Sequence, residues 1–159
     1  MPDIVSDGKT RVAWVTTIAN IAAPTTTELN AGILLHSFIT ADGLTGLQPQ
    51  SALVSTSALD SIFDTNVNGR LSFDNIQLTF KKQTSPDTAY TTLARDTAGF
   101  LTVRRSLTAG TAWASTQPLE VYPMLVAVRA KMNPEPNTVE RYQVTFVVTS
   151  TPNLDAAVA

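Results

Sequence analysis

The chain has 159 residues and a mass of 17.0 kDa, which predicts a single domain whose core is large enough to fold without a disulfide or a structural metal. It contains no cysteine, and this excludes a thiol nucleophile, a redox-active cysteine pair and a cysteine-ligated zinc site. Its formal net charge of -2 gives no indication of a phosphate-binding surface or of an acidic tail.

The first part of the chain is predicted to contain an arm, a strand and a short helix. Residues 1–11 are polar and form the predicted arm, and Val12–Ile18 is rich in the β-branched and aromatic residues that favour a strand. Thr25 and Glu28 stand at the spacing of a capping box, which marks the start of a helix. Gly32 is expected to end this helix after barely two turns.

A long polar stretch follows the second predicted strand, which covers residues 33–40. Residues 41–70 are predicted to form a long loop, with a short strand near 52–56 and a helical turn near 58–63. Compact domains rarely contain connections of this length without a purpose. We therefore expect the stretch to be functional.

The apolar alternation of residues 71–81 changes phase partway along. Leu71 and Phe73 are odd-numbered, whereas the later apolar positions are even-numbered. A phase change of one residue within a strand predicts a β-bulge, here near Asp74 and Asn75.

The next predicted elements are a helix from Pro86 to Arg95 and a strand over residues 100–105. Apolar residues recur on one face of the helix at helical spacing. Gly99 is expected to end the helix and to separate it from the strand.

A long C-terminal hairpin at residues 119–150 is the clearest element. Two β patterns, 119–132 and 138–150, flank a turn at 133–137 that contains two prolines, and no strand or helix continues through such a turn. Residues 153–159 are predicted to form a C-terminal tail.

The two arms of this hairpin are expected to pair and to need a neighbour. The predicted register places apolar side chains on one face through the pairs Val128 with Tyr142, Val126 with Val144, Met124 with Phe146 and Tyr122 with Val148. Each arm has about 12 residues, roughly 40 Å at 3.3 Å per residue, so the hairpin presents long edges. Unpaired edges of this length are a hazard unless another chain pairs with them, which favours assembly with a second copy.

The surface composition also favours association. Charged residues make up 15% of the chain, against about 25% in an average soluble domain, and 24 Thr and 11 Ser replace them. A weakly charged surface with a net charge near zero promotes association. The alternative is a secreted β-domain with a threonine-rich surface.

Neither a signal peptide nor a membrane span is predicted. The first eight residues contain two acids and no apolar run of the required length, and no apolar run reaches the roughly 20 residues that a spanning helix needs. We expect a soluble protein that is made in a cytoplasm and has no membrane partner.

No catalytic, cofactor-binding or metal-binding residue is predicted. The single histidine, His36, lies in a predicted strand and has no triad partner in a recognisable motif. No glycine-rich phosphate loop is present, and the basic pairs at 81–82 and 104–105 are more typical of solvated strand ends than of nucleic-acid binding.

One segment partly matches a Ca²⁺-binding loop. Asp64, Asn66, Asn68 and Gly69 stand at the first, third, fifth and sixth positions, but Asn75 stands where the bidentate Glu is required. An Asn-Gly turn that leads into the next strand explains the same residues. We favour the turn, and whether 64–68 binds a cation stays open.

The order of several segments carries a resemblance to a known family. These segments are VAWVTTIANIAAPTTTELNAG, NGRLSFDNIQLTFKK, PDTAYTTLARDTAGFLTVRRS, LEVYPMLVAVRA and VERYQVTFVVTSTP. In this order the chain resembles the major tail proteins, or tail tube proteins, of long-tailed (siphovirus-type) bacteriophages that infect actinobacteria. The resemblance spans nearly the whole chain.

The resemblance implies a mainly β fold of the tail-tube type, a β-sandwich or barrel with a flanking short α-helix and an extended C-terminal hairpin. It also implies a structural, non-enzymatic virion protein that assembles into hexameric rings, which stack into the hollow tail tube. Hairpins of adjacent subunits would pair side by side around the lumen. The tube would act as a passive conduit for genome ejection.

The partners that the resemblance implies are further copies of the chain, the tape measure protein, the tail terminator and the baseplate proteins. Double-stranded DNA would pass through transiently and without sequence specificity. The protein would reside in the phage tail after assembly in the cytoplasm of the bacterial host.

The resemblance also assigns roles to positions of this chain. The long loop is the candidate for stacking on the next ring, and the arm is the candidate for reaching a neighbour. The candidate ring and stacking contacts are Tyr122, Met124, Val126, Val128, Tyr142, Val144, Phe146, Leu71 and Phe73. The candidate lumen-facing residues are Arg129, Arg141 and Gln143. Because fixed cations in the lumen would retard sliding DNA, either acids neutralise the two arginines or this face packs elsewhere.

Two other functions remain open. A tail terminator or head-tail connector subunit would form one ring and stop. A monomeric β-sandwich binding module, for example for glycans, would need an exposed aromatic cluster, for which Trp113 is the only loop candidate.

Overall fold

The computed structural model describes residues 1–159 and confirms a mainly β fold. Its two helices are α1 (Thr26–Ala31) and α2 (Thr88–Thr92). Its ten strands are β1 (Arg11–Val15), β2 (Ile33–Leu34), β3 (Ile39–Thr45), β4 (Gln50–Ser55), β5 (Asn66–Ser72), β6 (Ile76–Lys81), β7 (Ala98–Arg104), β8 (Pro118–Lys131), β9 (Arg141–Val148) and β10 (Asn153–Ala157). Neither helix is long and apolar enough to cross a membrane.

Eight strands form one antiparallel sheet. Seven of them follow the order β2-β1-β7-β8-β9-β6-β3, and β10 pairs with β8 beside this path. The sheet curls strongly. The rings of Trp14 in β1 and Phe146 in β9 lie only 5.6 Å apart, although two strands separate β1 from β9 in the sheet. Its ends meet through one short turn, since Leu34 pairs with β1 and Ile39 pairs with β6.

Two apolar cores lie on opposite faces of this curled sheet. The inner core contains 17 buried residues, among them Trp14, Phe80 and Tyr142. The second core contains nine, and α1, Trp113 and β10 cover it. Burial of this apolar surface is the main stabilising contribution to the fold.

The capping box predicted for the first helix is confirmed. The Thr25 hydroxyl accepts a hydrogen bond from the Glu28 amide at 3.2 Å, and the Thr25 amide donates to Glu28 Oε2 at 2.8 Å. The second helix is shorter than predicted, because Asp87 caps its N-terminus and Leu93 already ends it. Gly99 does not end this helix but lies inside β7.

The predicted second strand over 33–40 is wrong as a continuous element. The chain turns at 35–38, where the Phe38 amide donates to the Leu35 carbonyl at 2.9 Å. The turn divides the segment into β2 and the beginning of β3.

The long loop at 41–70 and the bulge near Asp74 and Asn75 are also corrected. Most of residues 41–70 form the end of β3, all of β4 and the beginning of β5, and the helical turn predicted near 58–63 is only a single hydrogen-bonded turn at 58–61. β4 and β5 pair into a separate two-stranded sheet. The phase change after Phe73 therefore marks the passage of the chain from one sheet to the other, with Asn75 in the left-handed region at φ 52°.

The long C-terminal hairpin is confirmed, but its register differs. Val126 faces Phe146 instead of Val144, because the connection spans 132–140 and is longer than the predicted turn. The register also shifts between Val126 and Val128, where β8 bulges. This bulge moves Val128 out of the apolar stripe.

The edges of that hairpin are mostly covered by the chain itself. β6 pairs along the outer edge of β9, and β7 pairs along the first half of the outer edge of β8, while β10 extends the pairing of β8 on the side of β9. The predicted tail at 153–159 is largely strand β10, and Ala156 and Val158 are buried in the second core. The argument that both hairpin edges need a second copy is therefore wrong.

Candidate assembly surfaces

Most of the predicted interface residues lie inside the chain. The hairpin residues that belong to the inner core are Tyr122, Met124, Val126, Tyr142, Val144 and Phe146. They are buried because the curled sheet closes over them, so they cannot form a contact surface without opening the core. Burial also raises the pKa values of Tyr122 and Tyr142.

Three predicted interface residues remain at or near the surface. Leu71 is 71% exposed on β5, and Val128 is 51% exposed beyond the β8 bulge. Phe73 is half-buried, and its ring packs edge-on against Tyr122 with 5.9 Å between the ring centroids. Leu71 and Phe73 both lie near the junction between the two sheets.

Two of the predicted lumen-facing residues lie on the polar face that β6 and β9 share, and the third lies on the opposite, core-facing side of the sheet. Arg141 and Gln143 alternate with buried residues along β9 and pair with Lys81 and Thr79 of β6, which face the same way. Arg129 pairs with Val144, whose side chain is in the core. Because paired residues share a face, the β8 bulge places Arg129 on the face opposite to Arg141 and Gln143.

Arg129 is tied to the second helix. Its guanidinium carbon lies 3.8 Å from the centroid of the Tyr90 ring, and its Nη1 donates to the Tyr90 carbonyl. These contacts make Arg129 a packing residue of the opposite face.

The polar face of β6 and β9 carries little net charge. Arg141 Nη2 contacts Glu135 Oε2 at 2.7 Å, so an acid of the hairpin connection pairs with this cation. Gln143 Nε2 donates to Gln77 Oε1 at 3.2 Å. Lys81 is left as a cation without an ion pair.

The hairpin formed by β4 and β5, residues 50–72, is the most exposed part of the molecule. Every residue of β4 is exposed, and only Gly69 of β5 is half-buried. The large apolar residues exposed on it are Leu53, Val54, Leu59, Ile62, Phe63, Val67 and Leu71. A two-stranded hairpin without an apolar face packed on a core is marginally stable in water.

Two of the open edges of the larger sheet lie on β3 and on the second half of β8, in addition to the outer edges of the strands β2 and β10. β3 pairs only with β6, so its other edge has no strand partner. Residues 128–131 of β8 pair with β9 on one side, and no strand continues along their other side after Leu125. Open edges of this kind can pair with another chain.

A groove of about 970 Å³ lies between the base of the exposed hairpin and the end of β9. Residues 70–76 form one wall, and residues 145–152 form the other. Phe73, Val147 and Leu154 contribute apolar surface, while Arg70 and Asp74 contribute one charge of each sign.

His36 lies in the turn between β2 and β3 and lacks the surroundings of a catalytic base. Burial and the positive charges of Arg11 and Arg104 lower its pKa, and its buried Nδ1 has no hydrogen-bond partner. No carboxylate orients the ring, as a triad would require.

Trp113 is a core residue, 5% exposed, and offers no platform for a glycan ring. The guanidinium carbons of Arg11 and Arg104 lie 4.9 and 5.0 Å from the centroid of its ring. Both arginines donate to backbone carbonyls of the 105–117 loop and so hold this loop against the sheet.

The segment at 64–68 has the hydrogen bonds of a hairpin end. Asp64 Oδ1 accepts from the Ser57 hydroxyl at 3.3 Å, and β5 begins at Asn66. No group of three or more histidine, aspartate or glutamate side chains is placed to hold a metal ion.

Sequence reasoning missed the exposed hairpin as an element. A strand near 52–56 was correctly expected, but its partner was assigned to the loop and to the strand at 71–81. The apolar residues Leu59, Ile62 and Phe63 in a polar stretch were the available signal, because such residues rarely stay solvent-exposed without a partner.

The chain matches one protein family and shares its fold with chains of two solved assemblies. A family model described as phage tail tube protein matches residues 1–159. A chain in the cryo-EM structure of the anti-feeding prophage baseplate, six-fold symmetrised, is 8% identical with a TM-score of 0.60, and the match covers 96% of each chain. The second match is a chain in the cryo-EM structure of an extracellular contractile injection system, the PVC sheath/tube terminator in the extended state. It is 10% identical with a TM-score of 0.61, and the match covers 98% of this chain and 99% of that one. At these identities the likeness shows the fold. No curated protein matches the chain.

Proposed function

The chain belongs to the phage tail tube protein family, and from this premise we propose that it assembles into hexameric rings that stack into the hollow tube of a phage tail. The tube serves as a passive conduit for the genome during ejection, and the protein has a structural role without catalysis. The phage is of the long-tailed type and infects an actinobacterium, as the sequence resemblance implies.

The observation that carries the proposal is the exposed hairpin at 50–72. It projects from the curled sheet with seven large apolar residues in solvent, and its two strands have no core of their own. Contact with neighbouring copies supplies the burial that a solitary chain lacks. In the tube, this hairpin replaces the long loop at 41–70 as the stacking element.

Ring closure uses the open edges of the larger sheet. The edge of β3 and the edge of residues 128–131 of β8 lie on different strands, so pairing between copies is head-to-tail. Head-to-tail contacts close into a ring when the rotation between copies fits, and closure removes the exposed edges. Val128 lies in this contact.

The polar face of β6 and β9 lines the lumen. Glu135 balances Arg141, so the face presents mainly amides and hydroxyls, including Gln143. A nearly neutral polar wall gives passing DNA few fixed cations that would retard it.

The assembled tube contacts other tail components at its ends and in its lumen. These partners are the baseplate, the tail terminator and the tape measure protein, on which polymerisation begins and ends. The protein is assembled in the host cytoplasm and resides in the virion.

Electron microscopy of the purified chain tests the proposal. Filaments of stacked rings with six-fold symmetry and a central channel support it. Solitary rings that do not stack favour a terminator or a head-tail connector instead. A monodisperse monomer in light scattering at high concentration contradicts self-assembly and favours a binding module.

A further inference from the structure

We infer that the apolar tip of the 50–72 hairpin of one copy seats in the groove between residues 70–76 and 145–152 of the next copy. This inference rests on the proposed stacking of rings and names the contact that holds the stack. The tip residues are Leu59, Ile62 and Phe63, and the groove is the one that Phe73, Val147 and Leu154 line.

The tip is a preformed apolar knob. Leu59 and Ile62 are each 106% exposed and Phe63 is 74% exposed, so none of the three packs against its own chain. Hydrogen bonds nevertheless fix the turn that presents them. The Thr56 amide donates to the Thr65 carbonyl at 2.8 Å, and the Ser61 hydroxyl donates to the Phe63 carbonyl at 2.7 Å. Such preorganisation lowers the entropic cost of docking.

The groove has the shape and polarity to receive this knob. Its volume of about 970 Å³ is that of a cleft that holds several side chains, and its walls are mainly apolar around Phe73, Val147 and Leu154. Val147 is 46% exposed and lies next to the last residue of β9. The groove therefore offers apolar surface that the solitary chain leaves in water.

The occupant is a second copy, because knob and groove lie at opposite ends of one hairpin. Five residue steps along β4 lead from the pair Gln50 and Ser72 at the base to the pair Ser55 and Asn66 near the tip, a span of about 17 Å at 3.3 Å per residue. The tip cannot fold back into its own groove while the strands are paired. A patch and a pocket at two places on one molecule make a contact that repeats from copy to copy.

Charge supports the same arrangement. Asp60 and Asp64 flank the tip, and Arg70 lines the groove without an ion pair in its own chain. Docking brings Asp60 of one copy near Arg70 of the next. Asp74 lies in the same groove and disfavours an approach of the acidic tip to its own position.

Disulfide trapping tests the contact, since the chain has no native cysteine. The variant Ile62→Cys with Val147→Cys is assembled under conditions in which the parent chain forms tubes and is then oxidised. We expect a ladder of dimers and higher multimers on a non-reducing gel, because each copy carries both a tip and a groove. The matched control Ile62→Cys with Val139→Cys places the second thiol on an exposed residue outside the groove and should stay monomeric.

A third pair, Ile4→Cys with Val147→Cys, tests the N-terminal arm as the occupant, because Ile4 is exposed too. A ladder with this pair and none with the tip pair overturns the inference. Tubes that form while the tip pair stays monomeric also overturn it and leave the proposed function intact. A parent chain that never assembles contradicts the proposed function itself.

A charge exchange gives a second readout that needs no cysteine. Asp60→Arg or Arg70→Asp alone should abolish or shorten the tubes, and the two changes together should restore them. Both residues are exposed, so the monomer fold should not change. A double variant that assembles no better than either single variant argues against the proposed pairing.

Discussion

Gly99 shows how a single residue can be misread from its type. Glycine after an apolar segment predicted the end of a helix, but Gly99 lies in β7 with the Trp14 ring packed on it. A Cβ at this position would lie 2.6 Å from Cζ2 of Trp14, which is buried. Gly99 is therefore required for close approach, and its backbone conformation is ordinary.

Gly99→Ala should destabilise the fold by about 2 kcal/mol, because the buried Trp14 ring must move to make room. Urea unfolding followed by tryptophan fluorescence measures the change. Gly110→Ala is the matched control, since a Cβ there meets no atom within 4 Å. Equal stability of the two variants would show that the Trp14 packing tolerates a methyl group.

His36 makes the stability of the chain depend on pH. Burial first, and then the positive charges of Arg11 and Arg104, lower its pKa below the ordinary value of about 6.5. The unfolded chain therefore binds a proton more readily than the folded chain. The contribution of His36 to the free energy of unfolding should be fully present above about pH 6.5. It should be lost as the pH drops through this value towards the lower pKa of the folded state.

The urea midpoint of the parent chain should decrease from pH 7.5 to pH 5, and His36→Gln should reduce that decrease. Glu28 and Asp87 also have lowered pKa values, but they lose their contribution only at more acidic pH, near the carboxylate range. Identical pH profiles of parent and variant would assign the effect to other groups.

At the scale of elements, the C-terminal strand β10 has a testable role. Residues 153–159 looked like a tail, yet the Val158 side chain is buried and the neighbouring Ala157 side chain is exposed. Val158→Asp should cost about 3 kcal/mol or more, because it buries a charge without a partner. Ala157→Asp should leave the midpoint of thermal unfolding nearly unchanged. A true tail would tolerate both changes equally.

The features of the fold that the sequence could predict are those that depend on residues close together along the chain. The capping box of Thr25 and Glu28 needs only residues three apart, and the structure contains it as predicted. The hairpin at 119–150 was recognisable because prolines interrupt two long β patterns. In both cases the determining contacts lie close together along the chain.

Partner choice between strands was not predictable in the same way. Apolar alternation reports which face of a strand is buried, but not which sheet the strand joins. The phase change between Leu71 and Ile76 therefore looked like a bulge, although it separates β5 from β6. The real bulge, between Val126 and Val128, leaves no mark in the alternation pattern, because Val128 is as apolar as Val126 two positions before it.

The candidate assembly surface was predictable in location but not in form. The polar stretch at 41–70 was expected to make the stacking contact on the basis of family resemblance, and the exposed hairpin lies largely there. Buried residues such as Met124 and Val144 were expected to be contacts, because a single strand pattern cannot tell a core face from an interface. Both kinds of surface require the same apolar side chains.

At the scale of the whole molecule, the low charge content and the exposed apolar hairpin belong together. A chain with 15% charged residues has little electrostatic protection against association. The large apolar residues in solvent are concentrated on residues 50–72, which lack a core, whereas the curled sheet has two. Stability is therefore distributed unevenly, with the assembly element as the weakest part of the free subunit.

Hydrogen exchange should make this uneven stability visible. In dilute subunits the amides of β4 and β5 should exchange within seconds to minutes, while those of β7 and β9 should remain protected at least 100-fold longer, because global unfolding is needed to expose the latter. In assembled tubes the hairpin amides should slow by a factor of about 100 as neighbouring copies bury them, and the sheet amides should hardly change. Mass spectrometry of peptides from the two states measures both classes in one experiment. Hairpin amides that are already protected in the dilute subunit would mean that β4 and β5 are stable without a neighbour, and the burial argument for stacking would then fail.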